Sequence, residues 1–469
     1  MSTKFYQNRW FKWIASLIIP LILFFIPETE EFTRDIKLFF CITIFVMEIW
    51  AMGLLPILIP SLFLPIAYFI TGLAPTGKVF ATWGTQLPWL FLSAMILSSI
   101  LERIGLMKRI ACWSILKAGG GYKGIIYGFF GSGILMGLLV PSGAGKVALY
   151  ATLAYGICKE LKISPKSDVS SMIMLGGYFS AIGPLYLTGG GNNIIAFETA
   201  AKYGGMKVTW LSYFIQMGIP SIIFTFLLIT AMLFIFKKDE PIFEEKNKHK
   251  TKEYFINEYK KLGKFSTEEK KVSFILFLIV IGLLTGNIHN IAPGWIFVMG
   301  CCACYFPGID VGQEMDIKNV KFHMIVFMAS AMAIGNVSIA TGAGNFAANH
   351  LYGLLSGGAF SVTGFVWLFG VLVNFILTPL AAVAGLTSPL LEAGVKAGQN
   401  PLPLLYSFLQ GIEQILLPYE NATVLFLFGY GLITMKNFFK GFGLRMVLNI
   451  IFILAICVPY WMALGLYEF

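Results

Sequence analysis

The chain has 469 residues, of which 57% are hydrophobic and only 12% are charged. Soluble domains carry about 25% charged residues, so this composition excludes an ordinary soluble enzyme or binding domain and indicates an integral membrane protein. The apolar runs are long and continuous rather than short and alternating, which predicts spanning helices and not a membrane barrel. The fold class predicted from the sequence is therefore an all-α polytopic membrane protein.

The net charge is +10, and lysine and arginine cluster in two places along the chain. Lys4, Arg9 and Lys12 surround the start of the first apolar run, and more lysines fill the polar stretch 237–271. Lysine and arginine mark cytoplasmic segments, so we expect both regions on the cytoplasmic side of the inner (plasma) membrane. Nucleic acid is not expected as a partner, because the glutamates among these lysines would repel phosphate.

The first half of the chain contains six predicted spans and one interrupted pair. The spans lie at roughly 11–26, 37–53, 54–72, 85–101, 170–200 and 210–236, with a basic stretch at 102–123 and an apolar pair at 124–140 and 147–158. Each member of the pair is short for a crossing, so a re-entrant hairpin with its tip at membrane depth is the better interpretation.

The tip of this hairpin is Pro141-Ser142-Gly143-Ala144-Gly145-Lys146. A broken backbone and a lysine inside a bilayer are costly, and transporters build substrate sites from such breaks. An ATP-binding loop is not supported, because Val140 replaces the first glycine of that motif and Val147 replaces its Ser/Thr. For Lys146 the alternative to a site role is a lysine that snorkels near a helix end.

The second half repeats this pattern after the loop at 237–271. Predicted spans lie at roughly 272–286, 292–306, 320–341, 403–432 and 442–463, and a second apolar pair, 361–379 and 386–398, flanks Pro379–Gly385. We interpret 379–385 as the tip of a second re-entrant hairpin. The expected total is about 11 spans and two hairpins.

Counting spans from a cytoplasmic N-terminus places the two hairpins on opposite faces and the C-terminus outside. Two hairpins entering from opposite faces form an inverted repeat, which is typical of secondary transporters. The predicted organisation is N-terminal scaffold helices (1–123), a first repeat core (124–236), the cytoplasmic loop (237–271), further scaffold helices leading into the second repeat (272–360), and a second repeat core (361–469).

A broken helix follows each hairpin. The interruptions are Thr188-Gly189-Gly190-Gly191-Asn192-Asn193 and Pro418-Tyr419-Glu420-Asn421-Ala422-Thr423. Two tips and two breaks would place helix N-termini around one cavity, where their partial positive charge favours anions. Helix capping remains an alternative for Asn192 and Asn193. Glu420 could pair with Lys146, bind a cation, take up a proton, or bond a free backbone amide.

Other chemistry is not expected from the sequence. Cys301, Cys302 and Cys304 lack the spacing of a metal site, so we expect neither a metal nor another cofactor. Catalytic motifs are not evident beside the spans, so an enzyme or a sensor is the weakest interpretation. The remaining acidic residues in apolar surroundings are expected to have packing or interface roles; they are Glu48, Glu198, Glu392 and Glu413.

Several motifs together resemble the divalent anion–sodium symporter (DASS) family, especially its citrate–succinate antiporters and 2-oxoglutarate–malate translocators. The family's Pro-Ser-Asn-Thr-Ala-Arg tip corresponds to residues 141–146, and its Phe-Leu-Thr-Gly-x-Ala-x-Asn break to Tyr186–Asn193. Its Thr-Trp pair is matched by Thr209-Trp210, and its C-terminal signature by Phe428–Gly431 and Tyr460–Leu466.

The resemblance implies a homodimer, an elevator-type motion, and small di- or tricarboxylate substrates held by the tips and breaks. The candidate substrate-binding residues are Ser142, Gly143, Ala144, Lys146, Thr188, Asn192, Asn193, Ala382, Val383, Asn421 and Thr423, with Lys146 and Glu420 as candidate coupling or charge-compensating groups. The tips lack most of the polar side chains of the family, so sodium coordination is not expected there. We expect a sodium-independent exchanger, with a sodium- or proton-coupled symporter as the alternative.

Overall fold

The computed structural model describes residues 9–140, 143–189, 191–200, 208–236, 245–375 and 377–467. These parts of the chain are helical, and no β-strand occurs in them. The helices of the first half are α1 (Arg9–Phe25), α2 (Arg34–Met52), α3 (Leu58–Ile70), α4 (Thr76–Val79), α5 (Gln86–Arg103), α6 (Leu106–Lys117), α7 (Tyr122–Leu139), α8 (Gly143–Glu160), α9 (Asp168–Ile182), α10 (Gly191–Ala200), α11 (Trp210–Tyr213) and α12 (Ile219–Ile235).

The remaining helices begin in the stretch predicted to be a cytoplasmic loop. They are α13 (Glu245–Lys261), α14 (Thr267–Leu284), α15 (Gly286–His289), α16 (Pro293–Ala303), α17 (Glu314–Lys318), α18 (Phe322–Thr341), α19 (Ala343–Leu355), α20 (Ala359–Asn374), α21 (Pro379–Lys396), α22 (Pro401–Ile412), α23 (Ala422–Phe428), α24 (Met435–Phe452) and α25 (Val458–Ala463). Single π-turns at 214–218 and 453–457 join α11 to α12 and α24 to α25.

Three continuous helices in the described ranges are long and apolar enough to cross a membrane. They are Trp210–Ile235, with 26 residues, Phe322–Thr341, with 20, and Met435–Ala463, with 29. The bent pair α5–α6 also qualifies if its two parts, which meet at 64°, are taken as one span. Spans predicted at 210–236 and 320–341 match the observed helices closely, whereas the predicted last span starts seven residues too late.

The same order of elements occurs twice along the chain. In each half a helix breaks at a glycine with φ near +79°, Gly105 or Gly342, a left-handed conformation that only glycine adopts easily. Two helical arms then follow, α7 and α8 or α20 and α21, and next a helix, a break, a short helix and a long span with a π-turn. This repeated order is the structural counterpart of the repeat that the sequence predicts.

Glycines let the first arm of each pair approach its neighbouring helix closely. A Cβ on Gly133 of α7 would overlap Ser180 O of α9, and a Cβ on Gly370 of α20 would lie 2.9 Å from Phe408 O of α22. Small residues allow this close backbone contact between membrane helices. The arms are therefore fixed to α9 and α22, the helices that lead into the two breaks.

Replacing Gly411 with alanine should destabilise the second core. The added Cβ would overlap Trp367 O and lie 3.1 Å from Gly370 Cα, and both are backbone atoms that cannot move independently. Overpacking of this kind costs about 1–3 kcal/mol. A lower thermal unfolding temperature in detergent is the expected result. Gly443→Ala is the matched control, because no atom lies within 4 Å of its Cβ position; equal stability of the two variants would contradict the packing.

The structure corrects the position of the second tip. The sequence predicts a break at 379–385, but α20 ends at Asn374 and α21 begins at Pro379, so the interruption lies at 375–378. Thr378 caps α21, because its hydroxyl accepts a hydrogen bond from Ala381 N at 3.4 Å. Proline favours the first helical position and alanine favours helix interiors, so this segment starts a helix instead of breaking one. Ala382 and Val383, predicted tip residues, are fully buried inside α21.

The loop predicted at 237–271 contains a docked helix that the sequence analysis missed. Residues 237–244 lie outside the described part of the chain, and α13 follows them. Its buried positions, Thr251, Phe255 and Glu258, recur at helical spacing. The ammonium group of Lys108 in α6 forms an ion pair with Glu258 Oε2 at 2.6 Å. The side chain of Tyr254 packs against Gly156 of α8. The helix α13 thus contacts the second arm of the first pair.

The ion pair of Glu258 should make the docking of α13 sensitive to acid. Burial disfavours the charged form of Glu258, but hydrogen bonds from Lys108 and Lys261 outweigh burial and hold its pKa below the usual 4.5. A carboxylate with a lowered pKa stabilises the fold above its usual pKa, and the contribution disappears as the pH falls through the lowered value.

Glu258→Gln should therefore lower the thermal unfolding temperature at pH 7. The difference from the wild type should shrink as the pH is taken below about 4.5, where the wild-type carboxylate also becomes neutral. Glu253→Gln, at an exposed position of the same helix, should leave the unfolding temperature unchanged at every pH. A difference for Glu258→Gln that is independent of pH would contradict the proposed role of the ion pair.

Candidate substrate site

Hydrogen bonds connect the first helix break to the first arm pair and to the second break. This break, residues 183–190, separates α9 from α10. The Tyr186 hydroxyl donates to Ile134 O of α7 at 3.1 Å, about two turns before the predicted first tip. At the start of α10, Asn192 Nδ2 donates to Glu413 Oε1 at 2.9 Å. Since Glu413 directly follows α22, the two helix breaks lie side by side.

The second break is joined in turn to the second arm pair. Asn374, the last residue of α20, donates from Nδ2 to Glu420 Oε2 at 2.9 Å and to Gln414 O at 3.0 Å. Backbone amides of Leu416 and Leu417 donate to the same carboxylate at 3.1 and 2.8 Å. The two helix breaks and the end of α20 therefore lie in one hydrogen-bonded region.

Glu420 has a defined place in this arrangement. Its carboxylate is buried and accepts one side-chain and two backbone hydrogen bonds. Of the alternatives that the sequence left open, bonding to free backbone amides is the one observed. The predicted alternative of a pair with Lys146 is not found among the hydrogen bonds and ion pairs of the described residues. Glu420 therefore holds the second break and the end of α20 together.

The first tip is shorter than predicted, and its lysine lies in a helix. Pro141 and Ser142 lie outside the described residues, and α8 begins at Gly143. Gly143, Ala144 and Lys146 thus form its first turn, instead of an open loop. The side chain of Lys146 is only 2% exposed, and no hydrogen bond or ion pair links it to any residue in the described ranges.

A buried ammonium group without a partner is unfavourable by several kcal/mol. A snorkelling lysine would avoid this cost by keeping its ammonium group in water. The 2% exposure of Lys146 does not fit that alternative. A cation kept in such a position is expected to serve function, and the partner it lacks is an anion.

Three helices of at least ten residues begin at the interruptions. They are α8, α10 and α21, starting at Gly143, Gly191 and Pro379. The starts of α10 and α21 are adjacent, because a Cβ on Gly191 would lie 3.8 Å from Leu380 Cδ1. Helix N-termini carry partial positive charge and free amide groups, so the adjacent starts of α10 and α21 together favour an anion.

Most of the other predicted ligand side chains bond to the protein itself. Thr188 Oγ1 accepts from Trp210 Nε1 at 3.2 Å, and Asn193 Nδ2 donates to Tyr186 O at 3.1 Å. Asn421 caps α23, since its Oδ1 accepts from both the amide and the hydroxyl of Thr423 at 2.9 and 2.7 Å. These residues shape the breaks, and each already has one polar atom bonded to the protein.

Sequence analysis missed one charged residue of the region, Arg445 of α24. Its side chain is 6% exposed, and its Nη1 donates to the backbone carbonyl of Glu413. Because the carboxylate of Glu413 accepts from Asn192, a chain of contacts runs from α24 through the second break to α10. Glu413, expected to have a packing role, is the centre of this chain. An arginine inside the predicted span at 442–463 was the signal that could have revealed it.

The comparisons with known proteins agree with this architecture. Residues 7–467 match the family described as the sodium:sulfate symporter transmembrane region. The citrate/succinate antiporter of Escherichia coli K12 is 21% identical over 98% of this chain and 99% of its own length. Dicarboxylate transporter 1 of spinach (Spinacia oleracea) chloroplasts is 19% identical over 97% of this chain and 81% of its own.

A solved structure shares the fold. The YdaH transporter of Alcanivorax borkumensis superimposes with a TM-score of 0.56 at 13% identity, covering 92% of this chain and 99% of that one. The family match extends over almost the whole sequence, and the relatives are transporters. The chain therefore belongs to the DASS family, as its motifs predicted, and is a multi-pass membrane transporter and not an enzyme.

Proposed function

We propose that the protein exchanges small organic dianions across the inner (plasma) membrane without sodium. The substrates would be C4 and C5 dicarboxylates such as succinate, malate and 2-oxoglutarate, with citrate as a larger candidate. Relatives named dicarboxylate transporter and citrate/succinate antiporter support this substrate class. The single observation that carries the proposal is the buried Lys146 at the start of α8, which has no hydrogen-bond or ion-pair partner among the described residues.

A dianion matches the charges of the region. One carboxylate would pair with the ammonium group of Lys146, and a charge-assisted hydrogen bond of this kind contributes about 1.5–3 kcal/mol. The second carboxylate would be held by the backbone amides at the starts of α10 and α21. Gly143 has no side chain and Ala144 has only a methyl group, so neither offers a side-chain oxygen to a sodium ion, and the ammonium group of Lys146 would repel it.

Exchange, as opposed to one-way transport, follows from the same lysine. In the empty carrier the ammonium group would have to move through an apolar barrier without a counter-ion, which is unfavourable. A bound dianion supplies the counter-ion, so the loaded carrier is the form expected to move. Return of the binding site would then require a second substrate from the other side.

The alternative is a symporter in which Glu420 responds to sodium or protons. Its three hydrogen bonds favour a structural role over a titrating one. Glu420→Gln keeps the shape and one acceptor oxygen. Under the exchange proposal this variant transports without any change in its dependence on sodium or pH, and a lost dependence would favour the symporter.

We also propose an elevator-type motion, a homodimer, and about 11 spans with two re-entrant hairpins, the N-terminus inside and the C-terminus outside. The support is the repeated order of elements and the glycine bends at Gly105 and Gly342. Each bend lies just before a pair of arms, where a moving core would join a fixed scaffold. Cysteine crosslinks between α6 and α8 that form in only one loading state would test this motion.

The substrate proposal is tested by counterflow in liposomes. Vesicles loaded with unlabelled succinate would be offered labelled succinate against a panel of malate, 2-oxoglutarate, citrate, tartrate, acetate and sulfate. We expect the dicarboxylates to compete and acetate to fail, because a monoanion leaves one half of the site unpaired. Competition by sulfate alone would overturn the organic-dianion assignment.

A further inference from the structure

A large apolar groove lies away from the candidate substrate site. Its volume is about 570 Å³, and helices α6, α7, α13 and α14 form its walls. This volume falls within the roughly 300–1,000 Å³ range of small-molecule sites. Most of its lining is aliphatic or aromatic, and the main contributors are Leu106, Ile110, Leu135, Leu138, Leu276 and Val280.

The two ends of the groove differ in polarity. Arg109, Tyr259 and Ser273 supply its polar lining, and Arg109 bonds to carbonyls of the lysine-rich segment that is predicted to be cytoplasmic. Leu135 and Leu138 of α7 line it close to the first tip. Exposed aromatic residues flank the opening, since Trp113 is 46% and Phe277 is 59% exposed. Tryptophan and tyrosine favour the membrane–water boundary, so the groove runs from that boundary into the apolar layer.

Arg109 itself is not free to bind a ligand at the polar end. Its guanidinium group bonds to both carboxylate oxygens of Glu269 and to the carbonyls of Leu262 and Gly263. The positive charge available to a ligand therefore comes from neighbouring lysines.

Three exposed lysines flank lining residues of this end. Lys260 follows Tyr259, Lys264 precedes Phe265, and Lys270 lies one helical turn before Ser273. No ion pair joins any of the three to a carboxylate within the described ranges. Their free charges at the mouth of an apolar groove are complementary to an anionic amphiphile.

We propose that the groove binds an anionic glycerophospholipid of the cytoplasmic leaflet. One acyl chain would fill the apolar part, and the phosphate head group would lie among Lys260, Lys264 and Lys270. Because Leu135 and Leu138 belong to the last two turns of α7, the lipid would brace the first arm against α14. Binding of this lipid does not depend on which anion the protein transports.

The test compares lipids and variants by thermal unfolding of the purified protein in detergent, with lipid adducts counted by native mass spectrometry. Phosphatidylglycerol should stabilise the wild type, whereas phosphatidylcholine and inorganic phosphate should not. K260Q/K264Q/K270Q should bind phosphatidylglycerol about 100-fold more weakly, since each lysine near an anionic lipid contributes about a factor of five. Val280→Trp, which fills the groove, should abolish the lipid effect without removing charge.

K159Q/K250Q/K252Q is the matched control, because it removes three exposed lysines, at the end of α8 and in the first half of α13, none of which adjoins a lining residue of the groove. It should retain the stabilisation. Equal stabilisation by phosphatidylcholine, or equal loss in both triple variants, would overturn the proposal in favour of unspecific contact with lipid or charge. Stabilisation by inorganic phosphate alone would replace the lipid site with a simple anion site.

Discussion

Lys146→Met is expected to reduce exchange strongly and to make the protein more stable. The substitution removes a buried ammonium group that has no partner in the described structure and keeps the length and apolar stem of the side chain. Replacing buried charge with a well-packed apolar group of similar volume stabilises proteins by up to about 1–4 kcal/mol. Loss of a charge-assisted contact to the substrate should reduce exchange by about 10- to 100-fold at subsaturating substrate.

Transport and stability must be measured on the same preparation for this prediction. The readouts are counterflow in liposomes and the thermal unfolding temperature in detergent. Lys159→Met, at an exposed position near the end of the same helix, is the matched control and should change neither quantity. Reduced stability of Lys146→Met together with normal exchange would show that the lysine is structural.

Arg445→Met is expected to have the opposite effect on stability. Removing the guanidinium group leaves the Glu413 carbonyl without its donor and the nearby carboxylate without a compensating charge. Loss of one partner of a buried charged contact typically costs about 3–5 kcal/mol. A marked fall in the unfolding temperature is expected, and with it a loss of exchange, because the contact chain to Asn192 holds the two breaks together.

Lys440→Met provides the control for Arg445. Lys440 lies on the same helix and pairs with Asp168 at 2.8 Å, but both side chains are 25% exposed. Partly exposed pairs contribute about 0–1 kcal/mol, so this variant should remain close to the wild type. If Lys440→Met and Arg445→Met were equally mild, Arg445 would not be the anchor of the second break.

Local patterns were enough to locate the two helix breaks. The glycines around Thr188 and the proline and asparagine around Glu420 cannot continue an apolar helix, and the structure breaks there. The second tip was misplaced because Pro379 and the following alanines are compatible with both a loop and a helix start. Whether this segment forms a loop or starts a helix depends on whether the Thr378 hydroxyl caps the helix. The local sequence does not determine this.

The sequence did not predict contacts between residues that are far apart along the chain. Glu413 and Arg445 are 32 residues apart, and Asn192 and Glu413 are 221 apart. Nothing in the local pattern indicates that they meet. The same limit applies to Asn193 and Asn421, since an asparagine beside a break can bind a ligand or satisfy the backbone equally well. In the structure, each of them makes a hydrogen bond to the backbone.

The most direct test of the central claim is a trans-stimulation measurement on the wild type in sodium-free buffer. Uptake of labelled succinate would be compared between liposomes loaded with unlabelled succinate and empty liposomes. Exchange through a site compensated by Lys146 predicts fast uptake into loaded vesicles, little uptake into empty ones, and no change when sodium is added. Uptake into empty vesicles that requires sodium, with no effect of internal substrate, would contradict it.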